Sequence, residues 1–328
     1  MINSTIDKKT LLLSIGTIDI HYEKEELPST SGPSTGVGKS IFISFENTRV
    51  RLLINSKSTI KGKIISNNNV YLYYNNKFLL KGTIENIVLH CPQQAYITIS
   101  EKCIYNCQFC AVPKVGNKIK TKEEILNLLS SRKMFNAISI TSGVFHSPET
   151  DFLYIKDILS SIKKIYSVPI GVSIVPFQGC SLLLKKIGVS EVKYNIETFN
   201  FKDFQLFCPD LSYKVIIHEL LKAVSLFGKG HVFTNIIIGL KEDDITIQKS
   251  IEYFAKHGII TNLRPLTTTI YQNKFLNLKK PSFERLKALY NIQRNIFEKY
   301  GLLKIKSLTM CSKCGGCDIN PIFEENIL

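Results

Sequence analysis

At 328 residues and a net charge of +15, the chain has room for one large domain with an appendage, or for two ordinary domains. Its 44% hydrophobic and 21% charged residues exclude a disordered or fibrous polypeptide. No run approaches the roughly 18 apolar residues that cross a bilayer, and Met1 to Lys9 lacks the order of a signal peptide. A cytoplasmic protein with no membrane partner is therefore expected.

Residues 1–92 read as a small β-rich N-terminal unit, with strands at 11–21, 40–54, 60–65, 70–74 and 78–90 between turn-rich stretches. Within it, Gly32 to Ser40 imitates a phosphate-binding loop. Five residues rather than four separate Gly32 from Gly38-Lys39-Ser40, and alternating Ile41, Ile43 and Phe45 follow where a helix is required, so no nucleotide site is assigned there.

From residue 93 to 303 strands alternate with helices. Strands are expected at 95–99, 137–142, 170–175, 192–196, 232–238 and 259–263. The intervening helices cover 121–135, opened by a Thr121/Glu124 capping box, then 152–166, 181–187, 213–227 and 245–257, and a last one spans 282–300. Six such units predict an α/β fold with parallel strands and right-handed crossovers, a partial or complete (β/α) barrel. Residues 304–328 form a C-terminal segment with its own cysteines.

Nine cysteines are many for a reducing compartment, where clustered thiols point to metal or catalysis rather than disulfides. Six fall into two triplets, and Cys91, Cys180 and Cys208 stand alone. Cys103, Cys107 and Cys110 directly follow the first strand of the α/β region, at the end where barrels place their chemistry. Three soft thiolates in eight residues suit iron–sulfur or zinc. A zinc site lacks its second ligand pair nearby, and a ferredoxin run would space every cysteine by two residues.

The spacing of this triplet, Phe109 before its last cysteine and the preceding strand together resemble the radical S-adenosylmethionine (SAM) superfamily over residues 95–300. The resemblance implies a [4Fe–4S] cluster on Cys103, Cys107 and Cys110. Its fourth iron would be chelated by SAM, which on reduction yields methionine and a 5′-deoxyadenosyl radical. It also implies an electron donor such as ferredoxin or flavodoxin.

Further positions at strand ends extend the resemblance. Thr141-Ser142-Gly143 stands where many members carry a Gly-Gly-Glu-type motif, so Ser142 or backbone carbonyls would meet the SAM amino group, as in the biotin synthase and lipoyl synthase branch. Asn195-Ile196-Glu197-Thr198 resembles the Asn-Leu-Glu-Thr of lipoyl synthases and would put Glu197 near the ribose. Gly239, in Ile238 to Asp243, would admit a ligand close to the backbone, and Arg264 would pair with a carboxylate of SAM or substrate or else form a structural salt bridge. No acid–base catalytic residue is assigned.

Cys311, Cys314 and Cys317, spaced by two residues each, suit an auxiliary [4Fe–4S] cluster, with zinc as the rival. The fourth ligand is open: Cys91, Cys180, Cys208, a non-cysteine group or the substrate. Two enzymatic functions follow. One is lipoyl synthase-like sulfur insertion at an unactivated carbon, of which the archaeal two-component type is the nearest; its partner is an acidic carrier protein bearing the substrate or a second radical SAM protein. The other is modification of another cofactor, a peptide or RNA. The positive charge is compatible with nucleic acid, but its scattered lysines do not favour it. A zinc-stabilised binding protein is the non-catalytic alternative.

Overall fold

The computed structural model describes residues 2–22, 39–66, 68–85, 90–91, 93–131, 134–267 and 278–325. Residues 32–38 of the phosphate-loop imitation lie outside these. The chain opens with α1 (Thr5–Ile15) where a strand from Leu11 was expected. The helix is nucleated by a capping box: the Ser4 hydroxyl accepts from the Asp7 N–H and the Asp7 carboxylate accepts from the Ser4 N–H. It stops at Gly16 in the left-handed conformation (φ 67°). Leu11, Leu12 and Leu13 are buried by this helix, so an apolar run read as β serves a helix face.

Strands β1 (Thr17–Ile18), β2 (Ser40–Phe45), β3 (Thr48–Ile54), β4 (Ile60–Ser66), β5 (Asn69–Tyr74) and β6 (Lys77–Ile84) form one sheet in the order β1-β3-β2-β6-β5-β4. The expected single strand over 40–54 is a hairpin turning at Glu46, whose φ is positive. A parallel bridge from Asp19 to Lys61 brings the two edges of the sheet together, so it curls around Ile18, Ile43, Leu52, Ile60 and Leu72.

The second sheet runs β13-β12-β11-β10-β9-β8-β7. Strands β8 (Gln94–Thr98), β9 (Ala137–Thr141), β10 (Ile170–Ser173), β11 (Glu191–Lys193), β12 (Val232–Ile238) and β13 (Ile260–Pro265) are all parallel and lie in sequence order. Only β7 (His90–Cys91) is antiparallel. An unbroken winding in one direction, with β8 and β13 unpaired to each other, is a curled partial barrel. Helices α3 (Lys122–Ser130), α4 (Pro148–Ile165), α5 (Cys180–Ile187), α7 (Tyr213–Phe227), α8 (Asp244–Lys256) and α9 (Phe283–Lys299) connect or follow the strands. The short helices α2 (Val112–Val115) and α6 (Phe201–Phe207) were not anticipated. Among the described residues, no helix is long and apolar enough to cross a membrane.

The C-terminal segment, with α10 (Cys311–Cys314) and α11 (Pro321–Glu325), enters the mouth of the partial barrel. Its anchor is Glu191, fully buried on β11. The carboxylate accepts from the backbone N–H groups of Leu308 (3.0 Å) and Thr309 (2.7 Å) and from the Thr309 hydroxyl (2.6 Å), and meets His231 Nδ1 at 2.9 Å. Gly171 leaves the room: a Cβ there would stand 2.1 Å from the Thr309 hydroxyl. Beyond the cysteines, the Ile319 N–H donates to the Leu263 carbonyl at 3.0 Å on the outer strand β13.

Glu191→Ala would strand several buried donors at once. The expected cost is about 3–5 kcal/mol of unfolding free energy, read as a lower urea midpoint of the metal-free protein. A change below about 1 kcal/mol, the scale of an exposed contact, would show that the segment is docked by other contacts.

Candidate functional site

The first cysteine loop leaves β8 and is tied down by backbone on both sides. Ile104 N–H donates to the Val144 carbonyl (2.7 Å), Gln108 N–H to that of Phe207 (2.8 Å), and Cys110 N–H to that of Cys107 (3.0 Å). The last bond closes a tight turn that gathers the second and third thiols. Gly143, after β9, is required by closeness: a Cβ there would lie 2.4 Å from the Lys102 carbonyl oxygen and 3.2 Å from Cys103 Cβ.

One cavity collects Cys103, Cys107, Phe109, Cys110, Ser142, Gly143, Asn195 and Glu197, together with Thr98 and Ser173. Burial pushes the Cys103 thiol up, and pushes Cys110 up to about 12. Contact with the Cys208 thiol, followed by burial, holds Cys107 well above the ordinary range. Ligation would require these thiols to ionise, so metal binding here would release protons and strengthen as pH rises.

Glu197 sits at φ +61°, a left-handed conformation that costs a non-glycine residue about 1–3 kcal/mol and is concentrated at functional sites. Burial raises its carboxyl to about 7, against the pull of Lys193 and Arg264. Thr98 Oγ1, Asn195 Oδ1 and Glu197 Oε2 are buried atoms with no hydrogen-bond partner among the described residues. Three orphaned polar atoms in one cavity are what a missing polar ligand leaves behind.

Gly239 and Arg264 do not join this lining. Gly239 (φ 118°) is pressed by its own chain, since a Cβ there would lie 2.7 Å from the Lys279 carbonyl oxygen. Arg264 lines a different recess, with Cys317, Arg51 and Lys280.

The second triplet sits at a three-way junction of the N-terminal sheet, the barrel and the C-terminal segment. Arg49, buried on β3, donates through Nη1 to Cys314 Sγ (2.9 Å) and to the Cys314 carbonyl (3.1 Å), while its Nε is held by Glu85 at 2.9 Å. Its guanidinium lies 4.2 Å from the centre of the Phe42 ring. Lys193, buried on β11, donates to Cys311 Sγ at 3.1 Å. Arg51 donates to the Cys317 thiol, and its backbone N–H reaches the Gly316 carbonyl at 2.7 Å.

Each thiol thus has its own cationic donor. Burial lifts Cys311 to about 11 although Lys193 and Arg264 oppose it, and burial also raises Cys317. Burial works against charge on Arg264 too, yet Cys317 and Cys311 hold it above its usual value. Among the described residues, no three thiol, imidazole or carboxylate groups converge as closely as one metal ion requires.

Arg49, Arg51 and Lys193 escaped the sequence reading. Two are arginines in an ordinary amphipathic strand and the third is a lysine in a short β run. Nothing local to them announces a thiol that lies more than a hundred residues away in the chain.

Residues 97–254 match the family model described as the radical SAM superfamily. A curated relative, ribosomal protein uS12 methylthiotransferase RimO of Campylobacter jejuni (strain RM1221), is 27% identical over 202 residues, which is 57% of this chain and 41% of the relative. The chain therefore spans about two fifths of that relative's length. Among solved structures, methylornithine synthase (PylB) aligns with a TM-score of 0.51 at 18% identity, over 64% of this chain and 63% of the other. HydG, a maturase of the [FeFe]-hydrogenase, aligns at 0.52 and 19%, over 63% and 50%. At these identities the likeness concerns the fold. The matched family region contains the first cysteine triplet and excludes the second.

Proposed function

Because residues 97–254 match the radical SAM superfamily model, we propose that the chain is a radical SAM enzyme that uses SAM and a [4Fe–4S] cluster on Cys103, Cys107 and Cys110 to insert sulfur at an unactivated carbon. The sulfur would come from an auxiliary cluster on Cys311, Cys314 and Cys317. The observation that carries this reading is that both triplets face the same curled sheet, joined by shared charges. Lys193 touches the Cys311 thiol and acts electrostatically on Glu197 in the first cavity. Arg264 acts on Cys311, Cys317 and Glu197 alike.

The residues fit the groups that the family implies. Three thiols beside orphaned Thr98, Asn195 and Glu197 oxygens offer metal ligands and hydrogen-bond acceptors in one cavity. When bound, the cluster and SAM supply a reductively generated 5′-deoxyadenosyl radical that removes a hydrogen atom from carbon. The chain's own part is positional. Phe109 and Ile174 contribute apolar wall to the cavity; Glu197 would accept from ribose hydroxyls, and Ser142, whose hydroxyl donates to the Gly143 carbonyl at 2.8 Å, would hold the backbone that meets the SAM amino group. Arg264, in the recess with Cys317, would neutralise the auxiliary cluster or meet an acid of the substrate.

Carbon–sulfur bond formation agrees with a relative named for methylthio transfer. An acylated, acidic carrier protein is the substrate class that the chain's +15 charge suits, and a flavodoxin or ferredoxin is the donor class. The test is anaerobic turnover of the reconstituted protein with SAM, dithionite and an octanoylated carrier peptide. A sulfur-bearing peptide alongside deoxyadenosine is expected. Deoxyadenosine and methionine with no sulfur-bearing product on any acylated carrier would turn the assignment toward modification of another protein or of RNA, a class that the uS12-directed relative represents.

Glu197 gives a pH signature. Its folded-state value near 7 lies above the usual 4.5, so any stability that its bound proton lends is complete below about 4.5 and is lost as pH rises through 7. SAM binding, which uses the carboxylate as acceptor, should show the opposite slope and weaken as pH falls below 7. Glu197→Gln should weaken SAM binding about tenfold at pH 8, the scale of one charge-assisted hydrogen bond, and flatten the profile in equilibrium dialysis. A Gln variant that keeps the wild-type slope would assign the titration elsewhere.

A further inference from the structure

Cys91 is the single cysteine that the second triplet reaches. It lies on β7, the short antiparallel strand that folds back on the start of β8, with Cys91 opposite Gln94 in register. Gln94 grips the residue just before the triplet: its Oε1 accepts from the Met310 N–H at 2.5 Å and its Nε2 donates to the Met310 carbonyl at 3.3 Å. That two-point clasp fixes α10 against β7. In consequence the Cys91 thiol, only 3% exposed, lies in hydrogen-bond contact with the Cys314 thiol and 3.6 Å from the Lys313 carbonyl.

The same buried cation serves both sulfurs, since Arg49 acts on Cys91 as well as on Cys314. The other two isolated cysteines are engaged elsewhere. Cys180 lies against the Tyr194 hydroxyl (3.5 Å) and Glu219 (3.6 Å), and Cys208 against Cys107. A second buried group points into the site: Asp318, 2% exposed, meets the Cys311 thiol, and its Oδ1 has no partner among the described residues. A carboxylate with an orphaned oxygen against Cys311, a fourth thiol against Cys314 and buried cations on all three triplet sulfurs mark one polar centre inside the fold.

We propose that Cys91 is the fourth thiolate of the cluster held by Cys311, Cys314 and Cys317, contributed by the strand that joins the N-terminal sheet to the barrel. The inference rests on the reading of that triplet as an iron–sulfur site. Sulfur is preferred to the Asp318 oxygen on chemical grounds, because iron in a cubane selects thiolate. Four thiolates make the centre complete without substrate, and Arg49, Arg51, Lys193 and Arg264 offset the excess negative charge of such a cluster. The N-terminal unit gains a role: β3 supplies two of these cations and β7 follows the unit directly.

The test uses the full chain with Cys103, Cys107 and Cys110 all replaced by alanine, reconstituted anaerobically with iron and sulfide. About four irons per chain are expected, with Mössbauer spectra of an all-thiolate cubane. Adding Cys91→Ala should remove one iron in four and produce the EPR signal of a three-iron cluster, whereas adding Cys180→Ala should leave four. If alanine unfolds the edge, Cys91→Ser preserves size and an oxygen ligand and should keep four irons with one altered Mössbauer site. Four irons with unchanged spectra in the Cys91 variants overturn the proposal alone, and the three-iron signal appearing with Asp318→Ala instead identifies the carboxylate. No iron in the parent variant overturns the cluster reading itself.

Discussion

Cys107→Ala is expected to reduce SAM cleavage to background, a loss of at least about a thousandfold, or about 4 kcal/mol at the transition state. It should also lower the iron content by about four per chain. Cys107 is the middle thiol of the first triplet, held by the Gln108 N–H to Phe207 bond on one side and the Cys110 N–H to Cys107 bond on the other. The side chain packs with Phe109 against the barrel core, so a smaller residue leaves a small cavity but not a broken fold. Loss of activity with an unchanged unfolding midpoint is therefore the signature of a lost ligand. Deoxyadenosine measured by chromatography in the presence of dithionite is the readout. Turnover within tenfold of wild type would remove Cys107 from the ligand set, and its neighbour Cys208, whose thiol it touches, would be the first replacement to examine.

The fold was legible where its determinants are local. Six apolar β runs separated by amphipathic helices announce parallel strands, and the structure has six in sequence order. The first triplet was legible for the same reason, being eight consecutive residues in one loop. The failures are equally physical. Leu11 to Leu13 carries no periodicity that distinguishes a strand from a helix face, and the decisive signal was the Ser4/Asp7 cap seven residues earlier. Gly239, expected to admit a ligand, is packed beside the Lys279 carbonyl, a neighbour 40 residues on that its own loop does not announce. Arg264, expected to pair with a carboxylate of SAM or substrate or to form a structural salt bridge, lies beside Cys317 and feels the charge of Glu197. The environment of the second triplet was the least legible part, because its sulfurs are met by residues of β3 and β11 that lie far from them in the chain. Such a site exists only once the N-terminal sheet, β7, β11 and the C-terminal segment have come together.

Replacing Cys311, Cys314 and Cys317 together by alanine should separate the two halves of the proposed chemistry. The segment carrying them is docked mainly by groups other than sulfur: Glu191 on Leu308 and Thr309, Gln94 on Met310, and Asn320 Nδ2 on Asn262 at 2.7 Å. The barrel and the first cavity should therefore survive, with deoxyadenosine formation within about tenfold of wild type, a change near 1.4 kcal/mol. Formation of the sulfur-bearing product should fall at least about a thousandfold, and iron should drop from about eight per chain to about four. The cost of the substitution is electrostatic as well as chemical. Lys193 would lose its Cys311 partner while Arg49 keeps Glu85 and Arg51 keeps Ser40, and a buried charge left without its sulfur partner destabilises by a few kcal/mol, about 3–5 at most. A lowered melting temperature with preserved SAM cleavage is thus the expected pair of results. If deoxyadenosine formation disappears together with the product, the second centre feeds electrons to the first or completes its fold, and sulfur donation is no longer its function. If both persist, the triplet lies outside the reaction. The split between cleavage and product is what a sulfur source predicts and an electron relay does not, since a relay stands upstream of cleavage and a sulfur donor stands downstream of it.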